Sequence, residues 1–227
     1  MIRDLPASRP QPLAPFYAIL DVAVAAATGW TIPDLTDACL DGGARFLQLR
    51  AKEISSALFL EIATAFVEAA HRAGAVAIIN DRADIARLSN ADGVHVGQDD
   101  LSPADARAVI GSGGPDAIVG LSTHTLAQVD AALTQPVTPV TYIAIGPVFG
   151  TTTKSTGYES VGLDMVRLAA ARCRAAAVPL VAIGGITLDT AAQVVAAGAA
   201  SVAVISDLVS TGDPRARVRA YVERLTL

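Results

Sequence analysis

Short aliphatic runs alternate with longer segments whose apolar positions recur every three to four residues, and this rhythm continues along almost the whole chain. Uninterrupted runs such as 76–79 and 180–183 suit strands buried on both faces, and the spaced pattern suits helices that lay one side on a sheet. The first predicted strand is Phe16–Leu20, with a helix at about Pro33–Leu40 that Thr31 opens and Gly42-Gly43 closes. The second strand is Arg45–Arg50, and its helix runs over about Ser56–Arg72 to Gly74. The third is Val76–Ile79 with a short helix near Asp84–Leu88. The fourth is Gly93–Val96, and its helix begins at Ser102-Pro103, an N-cap followed by proline at the first helical position. The fifth is Ala117–Leu121 with a helix at about Leu126–Leu133. The sixth is Tyr142–Ile145, separated by a long loop, Gly146–Gly162, from a helix at Leu163–Ala176. The seventh is Leu180–Ile183 with a helix at about Leu188–Ala197, and the eighth is Ser201–Ile205 with a last helix at about Pro214–Leu225.

Alternating strands and helices imply a parallel sheet, and eight repeats of one unit favour an α/β fold of the closed (β/α)8 TIM-barrel type over an open doubly wound sheet. The 227 residues fit one such domain, expected over 16–227. Residues 1–15 carry four prolines and read as a loose leader.

Barrel enzymes react at the carboxyl ends of their strands, and the polar residues of this chain gather there. Gln48, Arg50 and Lys52 are spaced by two, so an extended segment sends all three to one side. That reads as a site for an anion or a heterocycle. The third unit ends Asn80-Asp81 and the fourth His95-Val96-Gly97-Gln98-Asp99-Asp100. Asp81 and Asp100 project from neighbouring strand ends and suit one hard cation such as Mg2+, with no His/Cys set that would suggest zinc. His95, in mid-strand, reads as a hydrogen-bonded residue rather than a ligand. Ser122 suits a hydrogen bond to a substrate phosphate, Thr123 or Thr125 a helix cap, and His124 either proton transfer or loop support. The sixth loop, with Thr151, Thr152, Thr153 and Lys154, offers donors to phosphate. Gly184-Gly185 in the seventh unit permits close backbone approach to a phosphate, and Ser206 after the eighth strand is its partner.

Composition narrows the field. The net charge is −5 without a basic run, which argues against nucleic acid. No apolar run approaches the ~20 residues of a membrane span. Cys39 and Cys173 form no CxxC motif and read as reduced thiols of a cytoplasmic protein. The oligomeric state stays open, a homo-oligomer included.

Gln48-Leu49-Arg50-Ala51-Lys52, Asn80-Asp81, His95–Asp100, Thr151–Lys154 and Gly184–Thr187, in this order, together resemble the thiamine phosphate synthase family, over about Phe16–Leu208. The resemblance implies an enzyme that condenses hydroxymethylpyrimidine diphosphate with hydroxyethylthiazole phosphate, or its carboxylated form, and releases pyrophosphate. It further implies that Gln48, Leu49, Arg50, Ala51, Lys52, Asn80, Ser122 and Lys154 hold the pyrimidine diphosphate. Arg50, Lys52, Lys154 and Ser122 would serve the chemistry. Thr151, Thr152, Thr153, Gly185, Ile205 and Ser206 would hold the thiazole phosphate, and Asp81 and Asp100 would hold Mg2+. The chain departs from the pattern at Gly150–Thr153, where many relatives carry a proline, and over the variable stretch Ser155–Gly162. A thiazole tautomerase of the same superfamily, a phosphate-sugar epimerase or a non-catalytic phosphate-binding barrel would share the phosphate end. None of the three would need Arg50, Lys52, Asp81, Asp100 and Lys154.

Overall fold

The computed structural model describes residues 13–111, 117–134, 140–150 and 159–226. Eight parallel strands close into a barrel in sequence order: β1 (Phe16–Asp21), β2 (Phe46–Arg50), β3 (Val76–Asn80), β4 (Gly93–Val96), β5 (Ile118–Thr123), β6 (Tyr142–Ile145), β7 (Leu180–Ile183) and β8 (Ser201–Val204). β8 returns to pair with β1 in the register Phe16–Val202, Tyr17–Ala203. The helices are α1 (Val22–Ala27), α2 (Ile32–Asp41), α3 (Ser56–Arg72), α4 (Ala83–Leu88), α5 (Pro103–Ile110), α6 (Leu126–Leu133), α7 (Gly162–Ala175), α8 (Leu188–Ala196) and α9 (Pro214–Leu225). A short 3-10 turn, Ser206–Leu208, follows β8.

The core has two parts, divided by the pleat of the strands. Phe16, Ala18 and Leu20 of β1, Leu49 of β2 and Ile79 of β3 face the helices. Tyr17, Ile19, Phe46, Ile78 and Tyr142 fill the barrel. Of the Pro-rich leader, residues 1–12 lie outside the described part. Leu13 and Ala14 pack against the barrel interior, and the Pro15 carbonyl accepts from Val202 N–H at 2.9 Å.

Local chemistry explains the helix starts. Thr31, Ser55, Ser102, Thr125 and Asp213 each accept a backbone N–H of the first turn that would otherwise lack a partner. Thr125 is therefore the cap of α6, while Thr123 is buried and donates to the Ala144 carbonyl at 2.9 Å. The periodicity missed α1. Its six residues are too few and too uniformly apolar to show a helical face, and Asp21 sets it up by accepting from Ala23 and Val24 N–H. Cys39 and Cys173 are both buried free thiols, and burial pushes them up to about 12 and about 11. Among the described residues, no helix is long and apolar enough to cross a membrane.

Candidate active site

A cavity of about 420 Å3 opens at the carboxyl ends of the strands, lined by residues from β2 to β8 and the loops that follow them. Its walls differ in chemistry around the ring.

On the β2–β4 side stand Arg50, Lys52, Asn80, Asp81 and Asp100. Arg50 donates to the buried Asp21 carboxylate. Asp21 thus uses one oxygen to start α1 and the other to fix the guanidinium, which retains further donors for an anion. Asp81 sits just past β3 with φ 61°, a left-handed conformation that aspartate tolerates better than most residues. Its N–H donates to the His95 carbonyl at 2.7 Å. The Asp81 carboxylate meets Lys52 Nζ at 3.1 Å and lies beside the Asp100 carboxyl. Burial pushes Asp81 upward, and so does the charge of Asp100, against the opposing pull of Lys52. Asp100 is itself oriented by Gly97 N–H at 2.8 Å. Two carboxylates this close repel unless a proton or a cation lies between them.

Gln48 departs from the expectation that it faces the ligand directly. It is buried below the cavity, accepting from Tyr17 at 2.8 Å and donating through Nε2 to Asn80 Oδ1 at 2.6 Å. Leu49 faces the helices, and Ala51 packs against the same outer core, so neither side chain reaches the cavity. His95 is a hydrogen-bonded strand residue, as its position suggested. Nδ1 is 2.9 Å from the Tyr142 hydroxyl and Nε2 is 2.8 Å from Ser122 Oγ. His124 Nδ1 lies 2.6 Å from the Gly146 carbonyl, tying the end of β5 to the loop after β6.

On the β7–β8 side, Gly184, Gly185, Ile205 and Ser206 line the cavity. Close backbone approach occurs at Gly185, but to protein. A Cβ there would lie 2.5 Å from the Gly150 carbonyl oxygen and 2.8 Å from Phe149 Cβ. The loop after β6 is seated on this glycine pair, with Phe149 N–H donating to the Gly184 carbonyl at 3.0 Å. Its far shoulder returns to the near one, since Gly162 N–H donates to the Val148 carbonyl at 3.0 Å. Thr151, Thr152, Thr153 and Lys154 lie outside the described residues. Below Ser206, Asp207 accepts from Arg217, Tyr221 and Ser210 and from Leu188 N–H at the start of α8. Burial pushes its carboxyl upward, but the hydrogen bonds from Arg217, Tyr221 and Ser210 outweigh this and hold it below the usual carboxylate range.

Sequence reading passed over Asp21, Tyr17, Tyr142 and Asp207. Asp21 and Asp207 carried a signal, as acids at or just after a strand end. The two tyrosines carried none, because an inward tyrosine looks like core.

A closed (β/α)8 barrel with its charged groups gathered at the carboxyl end has the layout of a barrel enzyme. Residues 16–208 match the family described as thiamine monophosphate synthase. The thiamine-phosphate synthase of Chlorobium luteolum is 42% identical over 189 residues, 83% of this chain and 85% of that protein. That of Acidothermus cellulolyticus is 40% identical over 194 residues, 86% and 88%. A bifunctional thiamine biosynthesis protein of Symbiobacterium thermophilum is 41% identical over 198 residues, 87% of this chain but 39% of its own length. The structure of thiamine phosphate pyrophosphorylase from Pyrococcus furiosus superposes with a TM-score of 0.81 at 26% identity, covering 94% of this chain and 96% of the other. The chain belongs to the thiamine monophosphate synthase family. Membership makes it a transferase of thiamine biosynthesis, of the thiamine-phosphate synthase type.

Proposed function

We propose that the cavity joins hydroxymethylpyrimidine diphosphate to hydroxyethylthiazole phosphate, or its carboxylated form, with Mg2+ as the metal. The observation that carries this reading is the paired Asp81 and Asp100 carboxyl groups beside Lys52 and Arg50, opposite a glycine-rich end. β3 and β7 stand four strands apart in an eight-stranded ring, so the two ends face each other across the mouth. A diphosphate fits the first end and a monophosphate the second.

Two adjacent carboxylates form the all-oxygen donor set that magnesium takes, with water and phosphate oxygens completing it. Bound there, the ion would neutralise charge on the diphosphate. Arg50 and Lys52 would add to that neutralisation, and Asn80 would offer an amide N–H. The methylene C–O bond then breaks, and its electron pair leaves with the diphosphate. The amino-pyrimidine ring spreads the resulting positive charge, and the thiazole nitrogen donates its lone pair to the methylene carbon. No enzyme nucleophile is required, which accords with two buried, unreactive cysteines. Alignment of the two substrates and exclusion of water are what the barrel contributes. The thiazole phosphate would lie over Gly185, Ile205 and Ser206. The roles of Thr151, Thr152, Thr153 and Lys154 rest on the family resemblance.

Mixing both substrates with the protein and Mg2+ should release pyrophosphate, and chelation of the metal should stop it. Absence of release with both substrates and metal present would refute the reading.

A further inference from the structure

Six side chains from six consecutive strands form one continuous hydrogen-bonded chain through the barrel. It runs from Asn80 to Gln48 (2.6 Å), Tyr17 (2.8 Å), Tyr142 (3.0 Å), His95 (2.9 Å) and Ser122 (2.8 Å). Asn80 at one end and His95 and Ser122 at the other reach the cavity, and the buried Gln48, Tyr17 and Tyr142 lie beneath it. The two tyrosines are fully buried, and burial raises both phenols, so each keeps its single proton. Nothing in a hydrophobic packing role requires this arrangement. Phenylalanine would fill the same space, as Phe46 does beside Tyr17 with ring centroids 4.1 Å apart.

The chain also has a built opening. Gly120 on β5 stands between the His95 and Tyr142 strands in the barrel register. A Cβ at Gly120 would fall 2.1 Å from Tyr142 Cζ, 2.4 Å from its hydroxyl and 2.5 Å from His95 Nδ1. Any side chain at 120 would therefore break the chain at its centre.

Counting protons assigns a direction to every link. Gln48 Nε2 donates to Asn80, so Gln48 Oε1 must accept, and Tyr17 spends its one proton there. Tyr17 can then only accept from Tyr142, which spends its own proton in doing so. Tyr142 can only accept from His95, so the imidazole carries its hydrogen on Nδ1. In the neutral ring Nε2 is then an acceptor, and Ser122 must donate to it. What remains for a ligand is an acceptor lone pair on Ser122 and the amino group of Asn80.

We propose that Tyr17, Tyr142 and His95 are positioning residues that polarise the cavity mouth. They hold Ser122 as an acceptor for the exocyclic amino group of the pyrimidine and Asn80 as a donor to its diphosphate. The inference rests on the reaction proposed above. Substrate and site agree in sign, since an amine needs an acceptor and phosphate oxygens need donors. The reverse polarity would set a carbonyl oxygen of Asn80 against the diphosphate. Each link lies between buried or half-buried groups, where hydrogen bonds polarise one another and an unpaired member is costly.

The tautomer is the direct test. Nitrogen-15 NMR of histidine-labelled, ligand-free protein should show the His95 proton on Nδ1 and an unprotonated Nε2. The resonance is assigned by its loss in His95→Asn. A proton on Nε2 would mean that the chain runs the other way and would overturn the proposal, whatever the pyrophosphate assay shows. Tyr142→Phe should leave a mixed tautomer signal and raise KM for the pyrimidine diphosphate roughly tenfold, with the KM for the thiazole phosphate unchanged. By calorimetry, Ser122→Ala should lose affinity for the pyrimidine diphosphate but not for an analogue with hydrogen in place of the amino group. Equal loss for both ligands would contradict recognition of the amine. If pyrophosphate release failed while the Nδ1 tautomer held, the reaction would be wrong and the polarity right.

Discussion

Replacing Asp207 by asparagine isolates the device that holds the phosphate end of the barrel. The carboxylate accepts from Arg217 Nε at 3.0 Å and Nη2 at 2.8 Å, from Tyr221, from Ser210 at 3.0 Å and from Leu188 N–H at 3.1 Å. Asparagine has almost the same shape, but it turns one acceptor into a donor and removes the charge. One set of donors then faces an N–H group, and Arg217, largely buried, loses its counter-charge. Breaking one side of a buried pair costs about 3–5 kcal/mol, and the remaining amide oxygen offsets part of that. The expected loss of unfolding free energy is therefore about 2–3 kcal/mol. Urea denaturation of wild type and variant measures it. The pH dependence supplies a second check. Asp207 is held below its ordinary range in the fold, so its stabilisation is fully present above about pH 4 and fades as pH falls through the folded value. The gap between wild type and Asp207→Asn should narrow correspondingly in acid. A loss below about 1 kcal/mol at neutral pH, or a gap unchanged near about pH 3, would refute the reasoning. Because Asp207 follows Ser206 directly, the variant should also raise KM for the thiazole phosphate more than for the pyrimidine diphosphate.

Asp100→Asn should fold normally, since the amide oxygen can still accept from Gly97 N–H. It should lower turnover by about a hundredfold or more and raise the Mg2+ needed for half-maximal rate. Near wild-type activity at low magnesium would exclude Asp100 from the metal site. Gly185→Val places a branched side chain at φ 63° and drives a Cβ into the Gly150 carbonyl and Phe149. The left-handed backbone alone costs about 1–2 kcal/mol. The displaced loop leads into Thr151–Lys154, so both substrates should bind more weakly in calorimetric titration. A loss confined to one substrate would show that loop and glycine pair act separately.

The barrel itself was legible because parallel strands buried on both faces must be continuous apolar runs, and helices covering them must be periodic. That is a local requirement, and the predicted strands therefore lie within two residues of the observed ones. The helix caps at Thr31, Ser102 and Thr125 were legible for the same reason, since a cap acts on N–H groups two or three residues away. The spacing of Gln48, Arg50 and Lys52 correctly placed Arg50 and Lys52 at the mouth, because the pleat alternates whatever the surroundings. Depth along the barrel was not legible. Gln48 lies one pleat repeat below Arg50, beneath the cavity floor, and becomes a partner of Tyr17 and Asn80. Glycine at 185 suggested a phosphate, but its Cβ position is closed by Gly150 and Phe149. Tyr17 and Tyr142 are 125 positions apart in the chain and are read alone as two core residues. Only closure of the ring brings their hydroxyls together. The chain by itself determined which residues face inward, because facing is a property of each strand. The tertiary structure decided which inward groups meet, because a hydrogen bond across the barrel depends on the register of all the strands between its partners.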